Sequence, residues 1–122
     1  VDDNRDIADT LCVILKSAGY ECLATYSGEE AAGSLVFAKP DLVIADVVMP
    51  GMSGIELCIQ LHATNPGLPV ILLSGNAATE ELLQHGRAHM GDAVVVMAKP
   101  CPPRELLRAV QEMTKYKLPK AI

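Results

Sequence analysis

Asp41-Leu42-Val43-Ile44-Ala45-Asp46, followed at once by Val47-Val48-Met49-Pro50-Gly51-Met52-Ser53-Gly54, is the stretch that decides the fold. An apolar run bounded by turn residues is the pattern of a strand covered on both faces of a parallel sheet. A carboxylate is costly to bury, so Asp46 marks the point where the strand emerges into a Pro/Gly loop. In open α/β sheets, ligands bind outside the carboxyl ends of the strands. The pattern therefore presents Asp46 for chemistry.

On either side of this strand the chain alternates between helical and extended patterns. Asp6 to Ala18 carries Ile7, Leu11, Ile14, Leu15 and Ala18 at helical spacing, and Gly19 stops it. Tyr20 to Tyr26 reads as a short strand. Ser27 caps a helix that runs to about Ala38, with Glu29 and Glu30 at its positive end. After Asp46 and its loop, Ser53 or Gly54 opens a helix with Leu57, Cys58 and Leu61 on its apolar face. Val70–Ser74 is a second buried strand. A helix from Thr79 fades by Gly91, and Ala93–Ala98 is a third buried strand. Lys99-Pro-Cys-Pro-Pro103 leads into a closing helix from Arg104 to about Lys115. Such alternation predicts βα units, a parallel sheet and helices on both faces. A strand should also precede the first helix, but only Val1 lies ahead of Asp2-Asp3. That first strand is expected to be largely absent from the chain, and the lack of an initiator Met points to a fragment.

Composition sets the class. The 122 residues suit one domain with a real core, and no apolar window approaches the length of a membrane span. The start of the chain is charged and does not read as a secretory signal. The cysteines at positions Cys12, Cys22, Cys58 and Cys101 form no C-x-x-C pair and read as reduced thiols, which fits a cytoplasmic setting. Up to Ala98 there are thirteen acids and four bases; from Lys99 onward there are two acids and six bases. An acidic body argues against direct nucleic-acid binding by the domain.

Four polar sites follow apolar strands directly, if Val1 ends the first: Asp2-Asp3, Asp46, Ser74 and Lys99. In a doubly wound sheet of order 2-1-3-4-5 they share one rim. Three clustered carboxylates repel one another unless a cation intervenes, and hard oxygen donors suit Mg²⁺. With a hydroxyl and an ammonium beside them, they form equipment for holding a phosphoryl group. Asp46, the central carboxylate, is the natural nucleophile for an aspartyl phosphate.

Each piece alone has a plainer meaning. Asp2-Asp3 could cap a helix, Ser74-Gly75 is a common turn, and Lys99-Pro100 could be a solvated loop. Their joint order and placement favour the functional reading. His85 and His89, and Cys58 and His62, lie four apart on helices, but neither pair has a third ligand, and both read as packing or surface residues. The methionines, Met49, Met52, Met90, Met97 and Met113, form no stripe and read as packing or loop residues.

The set Val1-Asp2-Asp3, Asp46 with its Met49-Pro50-Gly51-Met52-Ser53-Gly54 loop, Ile71-Leu-Leu-Ser74-Gly75 and Ala98-Lys99-Pro100 resembles the receiver domain of bacterial two-component response regulators. The resemblance runs from the start of the chain to about Met113. It implies a flavodoxin-like α/β fold with a five-stranded parallel sheet, a receiver domain over residues 1–115, and a tail or linker start over 116–122. It also implies that Asp46 accepts a phosphoryl group from a sensor histidine kinase or phosphotransfer protein. Asp2, Asp3, Asp46 and the backbone carbonyl of Val48 would hold Mg²⁺, or Mn²⁺ in its place. Ser74 would be the switch hydroxyl and Lys99 the phosphate-binding lysine. Output would pass to an effector domain or a homodimer through the last two helices.

Two features depart from the family pattern. Val96 stands where an aromatic switch residue is usual, and the first strand is nearly missing. Two rival readings remain. An aspartate-nucleophile, Mg²⁺-dependent phosphatase would need a second acid two residues after the nucleophile, where Val48 stands. A pseudo-receiver, acting only as an interaction module, would not need the acidic pair, Asp46 and Lys99.

Overall fold

The structure, a computed structural model, describes residues 1–75 and 93–114. The expected helix from Thr79 to Gly91, with His85, His89 and Met90, and the expected tail over 116–122 lie outside the described residues.

Local chemistry sets the helix ends. The first helix, α1 (Arg5–Ser17), is capped by Asn4, whose side-chain oxygen accepts from the Ile7 N–H at 3.3 Å. Asp6 lies in its first turn and Lys16 in its last, matching the helix dipole. Gly19, at φ +99°, turns the chain away. Helix α2 (Gly28–Ala38) begins at Ser27, whose hydroxyl accepts from the Glu30 N–H at 3.0 Å. Helix α3 (Gly54–Thr64) starts with a reciprocal capping box between Ser53 and Glu56. The closing helix, α4 (Pro103–Thr114), places Pro103 at its first position, where a missing N–H costs nothing.

Among the described residues three parallel strands, β1 (Val43–Asp46), β2 (Val70–Ser74) and β3 (Val94–Ala98), pair in the order β1-β2-β3. The register sets Asp46 beside Leu73 and Ser74 beside Ala98, so the carboxyl ends of all three strands share one rim. Two apolar clusters cover the sheet. Val43, Ala45, Val70 and Leu72 face Leu57, Cys58 and Leu61 of α3. Ile71 and Leu73 face Leu15 of α1 and Leu106 and Val110 of α4. Successive residues of β2 thus enter opposite cores, which is why its run is apolar without alternation. Each fully buried leucine of this set contributes about 1.5–3 kcal/mol through burial.

The Tyr20–Tyr26 strand expected from sequence is not formed, although that segment is extended. A strand needs a partner along its length, and among the described residues the bond to the Val1–Asp2 segment beside it is the one from the Asp2 N–H to the Thr25 carbonyl at 3.1 Å, while the Tyr20 N–H turns back to the Leu15 carbonyl at the end of α1. Val1 on its other side donates its amine to the Ile44 carbonyl at 2.6 Å and accepts from the Asp46 N–H at 3.0 Å. Val1–Asp2 thus lies between residues 20–25 and β1. The spatial order along the sheet is that of the expected 2-1-3-4-5 arrangement, with one rung of its first strand present.

Candidate functional site

The carboxylates converge at the rim. Asp46 closes β1 there. Asp2 is buried at 3% exposure, and its Oδ1 accepts from the Asn4 N–H at 3.0 Å, so the residue that caps α1 also orients this carboxylate. Asp3, next in the chain, is exposed. One carboxylate oxygen from each of Asp2, Asp3 and Asp46 lies within 4.8 Å of the others. By sequence alone Asp2-Asp3 could cap the first helix, but Asn4 takes that role and frees both acids for the rim.

Lys99 reaches the same point from the end of β3. Its Nζ lies 3.0 Å from Asp46 Oδ2 and donates to Asp2 Oδ2 at 3.3 Å. Burial pulls the ammonium pKa down, but hydrogen bonds and charge from Asp46 and then Asp2 outweigh it, so Lys99 titrates above its ordinary value. The backbone fixes its root, with the Lys99 N–H donating to the Ser74 carbonyl at 2.8 Å. Its side chain runs along Gly75, whose added Cβ would sit 3.5 Å from the lysine Cβ and Cδ. Ser74 ends β2, one rung past the partner of Asp46.

Glycines shape the loop after Asp46. A Cβ on Gly54 would overlap the Asp46 carbonyl oxygen, and the Gly54 N–H donates to the Val47 carbonyl at 2.9 Å. Gly51 takes a positive φ of 71°, with the Glu29 carboxylate of α2 close above it. Val47 and Met49 anchor the loop in the core, while Val48 between them is 56% exposed. Val96 is half-buried and packs against the α3-side cluster.

The remaining candidates are structural. Buried His62 donates its Nε2–H to the Leu68 carbonyl at 2.8 Å, and its Nδ1 lies 3.9 Å from Cys58 Sγ. It ties the end of α3 to the loop before β2. Met49 is buried, and Met52, Met97 and Met113 pack at the edges of the clusters. All four cysteines are free thiols. Among the described residues, no helix is long and apolar enough to cross a membrane.

Among the described residues, three carboxylates facing the Lys99 ammonium leave excess negative charge at a partly open rim. Their hard, closely spaced oxygens fit a divalent cation of the Mg²⁺ type. A family model for the response regulator receiver domain matches residues 1–111. The chain belongs to that family.

Its relatives agree with this placement. The receiver domain is 31% identical over 111 residues to the DNA-binding response regulator MtrA of Mycolicibacterium smegmatis, covering 91% of this chain and 47% of MtrA. It is 35% identical over 119 residues to the phosphate regulon transcriptional regulatory protein PhoB of Pseudomonas aeruginosa, covering 93% of this chain and 51% of PhoB. The chain thus spans about half the length of these curated relatives. Among solved structures, the chemotaxis protein CheY4 of Vibrio cholerae superposes with a TM-score of 0.81 at 30% identity, covering 92% of each chain. A CheY-like receiver domain from Methanospirillum hungatei gives 0.83 at 27% identity, covering 98% of this chain and 93% of that one.

Proposed function

We propose that this receiver domain is a phosphorylation-controlled switch whose phosphoacceptor is Asp46. The observation that carries the proposal is the contact of Asp46 with Lys99 Nζ at 3.0 Å, inside a cluster of three carboxylates at the carboxyl rim of the sheet. An Asp46 carboxylate oxygen attacks the phosphorus of a phosphohistidine on a kinase or phosphotransfer protein. The phosphorus–nitrogen bond breaks, the imidazole leaves with the bonding electron pair and takes a proton, and an acyl phosphate forms on Asp46. Asp2, Asp3 and Asp46, with the Val48 carbonyl, would hold Mg²⁺, which supplies charge neutralisation when bound.

Lys99 already points at Asp46. It compensates the phosphoryl charge by staying where it is, giving up its share of Asp2. Ser74, one rung along the rim, donates its hydroxyl to a phosphoryl oxygen. That movement shifts the balance between two arrangements of β3 and the helices beside it. Val96 provides no aromatic ring for such a movement to carry, so the switch works through the backbone of β3 and the Lys99 loop. We place the domain in the cytoplasm, delivering its output to an effector domain or a second copy, a reading supported by its free thiols and its response-regulator relatives. Exposed, apolar Val48 stands where a phosphatase would need its second acid.

The test is incubation with radiolabelled acetyl phosphate and Mg²⁺. Wild type takes up label, and Asp46→Asn does not. Undiminished labelling of the variant overturns the assignment.

A further inference from the structure

We propose that Tyr26 is a positioning residue for the metal-binding carboxylates, clamped between α1 and α2 so that its neighbour Thr25 holds Asp2 in place. The inference rests on the reading of Asp2, Asp3 and Asp46 as a divalent-cation site.

Among the described residues, Arg5, Asp9 and Glu30 converge on Tyr26. The phenol donates to Asp9 Oδ1 at 2.6 Å, the short length of a hydroxyl bound to a carboxylate. The Arg5 guanidinium lies over the ring, 4.1 Å from its centroid, within cation–π reach. The Tyr26 N–H donates to Glu30 Oε2 at 3.3 Å. Arg5 and Asp9 are neighbours four apart on α1, and Glu30 lies in the first turn of α2. Tyr26 therefore fastens the start of one helix to the start of the other.

The connection to the site runs through the backbone. Thr25 is buried, and its carbonyl accepts from the Asp2 N–H at 3.1 Å. From the other direction the Asn4 N–H holds Asp2 Oδ1 at 3.0 Å, and Asn4 caps the helix that carries Arg5 and Asp9. Asp2 is thus held by peptide groups on both sides, and Tyr26 ties those two peptides together. The same turn of α2 also meets the loop after Asp46. A Cβ on Gly28 would come within 3.0 Å of Met52, and the Glu29 carboxylate stands close above Gly51. The segment bearing Asp2 and Asp3 and the loop leaving Asp46 are both set against one helix start.

The carboxylates give this clamp its purpose. Their oxygens lie within 4.8 Å of one another and repel, so a loosely held segment would relax outward before a cation arrives. Groups a step removed from the ligands tune affinity by holding the ligands in place. A mere surface latch between two helices would instead lower stability and leave metal affinity unchanged.

The experiment uses the full chain with Mn²⁺ as the probe, its binding followed by electron paramagnetic resonance. Tyr26→Phe keeps the ring and removes the hydroxyl; Tyr26→Leu removes the ring as well. Thr114→Val is the comparison, losing a hydroxyl bonded to the Val110 carbonyl at the last residue of α4. Tm and the Mg²⁺ dependence of labelling by acetyl phosphate are read for each. Tyr26→Phe is expected to weaken Mn²⁺ binding about threefold and Tyr26→Leu about tenfold, at or below the range for groups that touch a ligand directly. The Mg²⁺ concentration for half-maximal labelling should rise by the same factors, with the rate at saturating Mg²⁺ unchanged. Thr114→Val should lower Tm without moving metal affinity. Equal Mn²⁺ affinity in wild type and both Tyr26 variants overturns the proposal and leaves the assignment of Asp46 standing. A loss that Thr114→Val reproduces, or a fall in the saturated rate at unchanged affinity, does the same. A wild type that binds no Mn²⁺ overturns the metal site itself and the proposal with it.

Discussion

Lys99→Met removes the ammonium that, among the described residues, pairs with Asp2 and Asp46, while keeping most of the length and apolar bulk of the side chain. That ammonium sits 3.0 Å from Asp46 and 3.3 Å from Asp2. At an effective dielectric near 20, each ion pair is worth about 5 kcal/mol of gross attraction. Desolvation offsets most of that, and the lysine side chain keeps 24% of its exposure, which places the net loss at about 1–3 kcal/mol, between surface and fully buried pairs. For a domain of this size the corresponding fall in Tm is about 4–12 °C. In the variant the three carboxylates face one another without the Lys99 ammonium between them. Mg²⁺ should therefore stabilise it more than wild type, where the ammonium competes for the same oxygens. Urea unfolding with EDTA and with saturating Mg²⁺ checks this, the expected result being a penalty that shrinks when the metal is added. Equal penalties under both conditions, or no penalty in EDTA, would refute the electrostatic account. The pH dependence has a definite sign. The Lys99 pKa is raised in the folded state, so its contribution is fully present below the ordinary value of 10.5 and disappears only as pH rises beyond it. The difference between the two proteins owed to this shift should be flat from about pH 7 to 9.

Gly54→Ala should cost about 1–3 kcal/mol in urea unfolding and weaken Mg²⁺ binding, because its Cβ meets the Asp46 carbonyl and must move the loop. Binding and stability equal to wild type would contradict the close approach. Cys58 is fully buried, and burial pushes its thiol up to about 11. The unfolded chain ionises this thiol near pH 8.5, so the native state should lose stability between there and about 11, and Cys58→Ala should flatten that part of the urea midpoint-versus-pH curve. An unchanged slope would show that another group is responsible. The Val48 side chain carries no polar atom to orient a water, so the acyl phosphate should outlive that of Val48→Asn, as followed by decay of the labelled protein; faster decay in wild type would oppose this.

The parallel sheet was legible because β2 is an apolar run that ends in Ser74 and β3 an apolar run that passes directly into Lys99, each followed by a turn. Asp46, Ser74 and Lys99 could be picked out for the same reason. A strand's carboxyl end is visible in sequence when burial stops abruptly. The Tyr20–Tyr26 segment misled because propensity describes a residue's fit to a sheet, whereas a strand exists only with a paired neighbour, and among the described residues the Val1–Asp2 segment supplies one bond. The role of Asn4 was overlooked because two aspartates ahead of it offered the same capping chemistry. Its backbone N–H, which holds Asp2, carries no sequence signal. The need for glycine at position 54 arises from a long-range approach to the Asp46 carbonyl, which local pattern cannot reveal. Ser53 and Glu56, by contrast, announced the start of α3 through their spacing.

The most direct measurement locates the phosphoryl group itself. Protein incubated with acetyl phosphate and Mg²⁺ is reduced with borohydride, which converts an aspartyl phosphate to homoserine, and the peptides are sequenced by mass spectrometry. The expected result is homoserine at position 46 and at no other aspartate. Conversion at Asp2 or Asp3 with Asp46 intact, or phosphate found only on a hydroxyl or imidazole, would contradict the claim that this rim was built around Asp46.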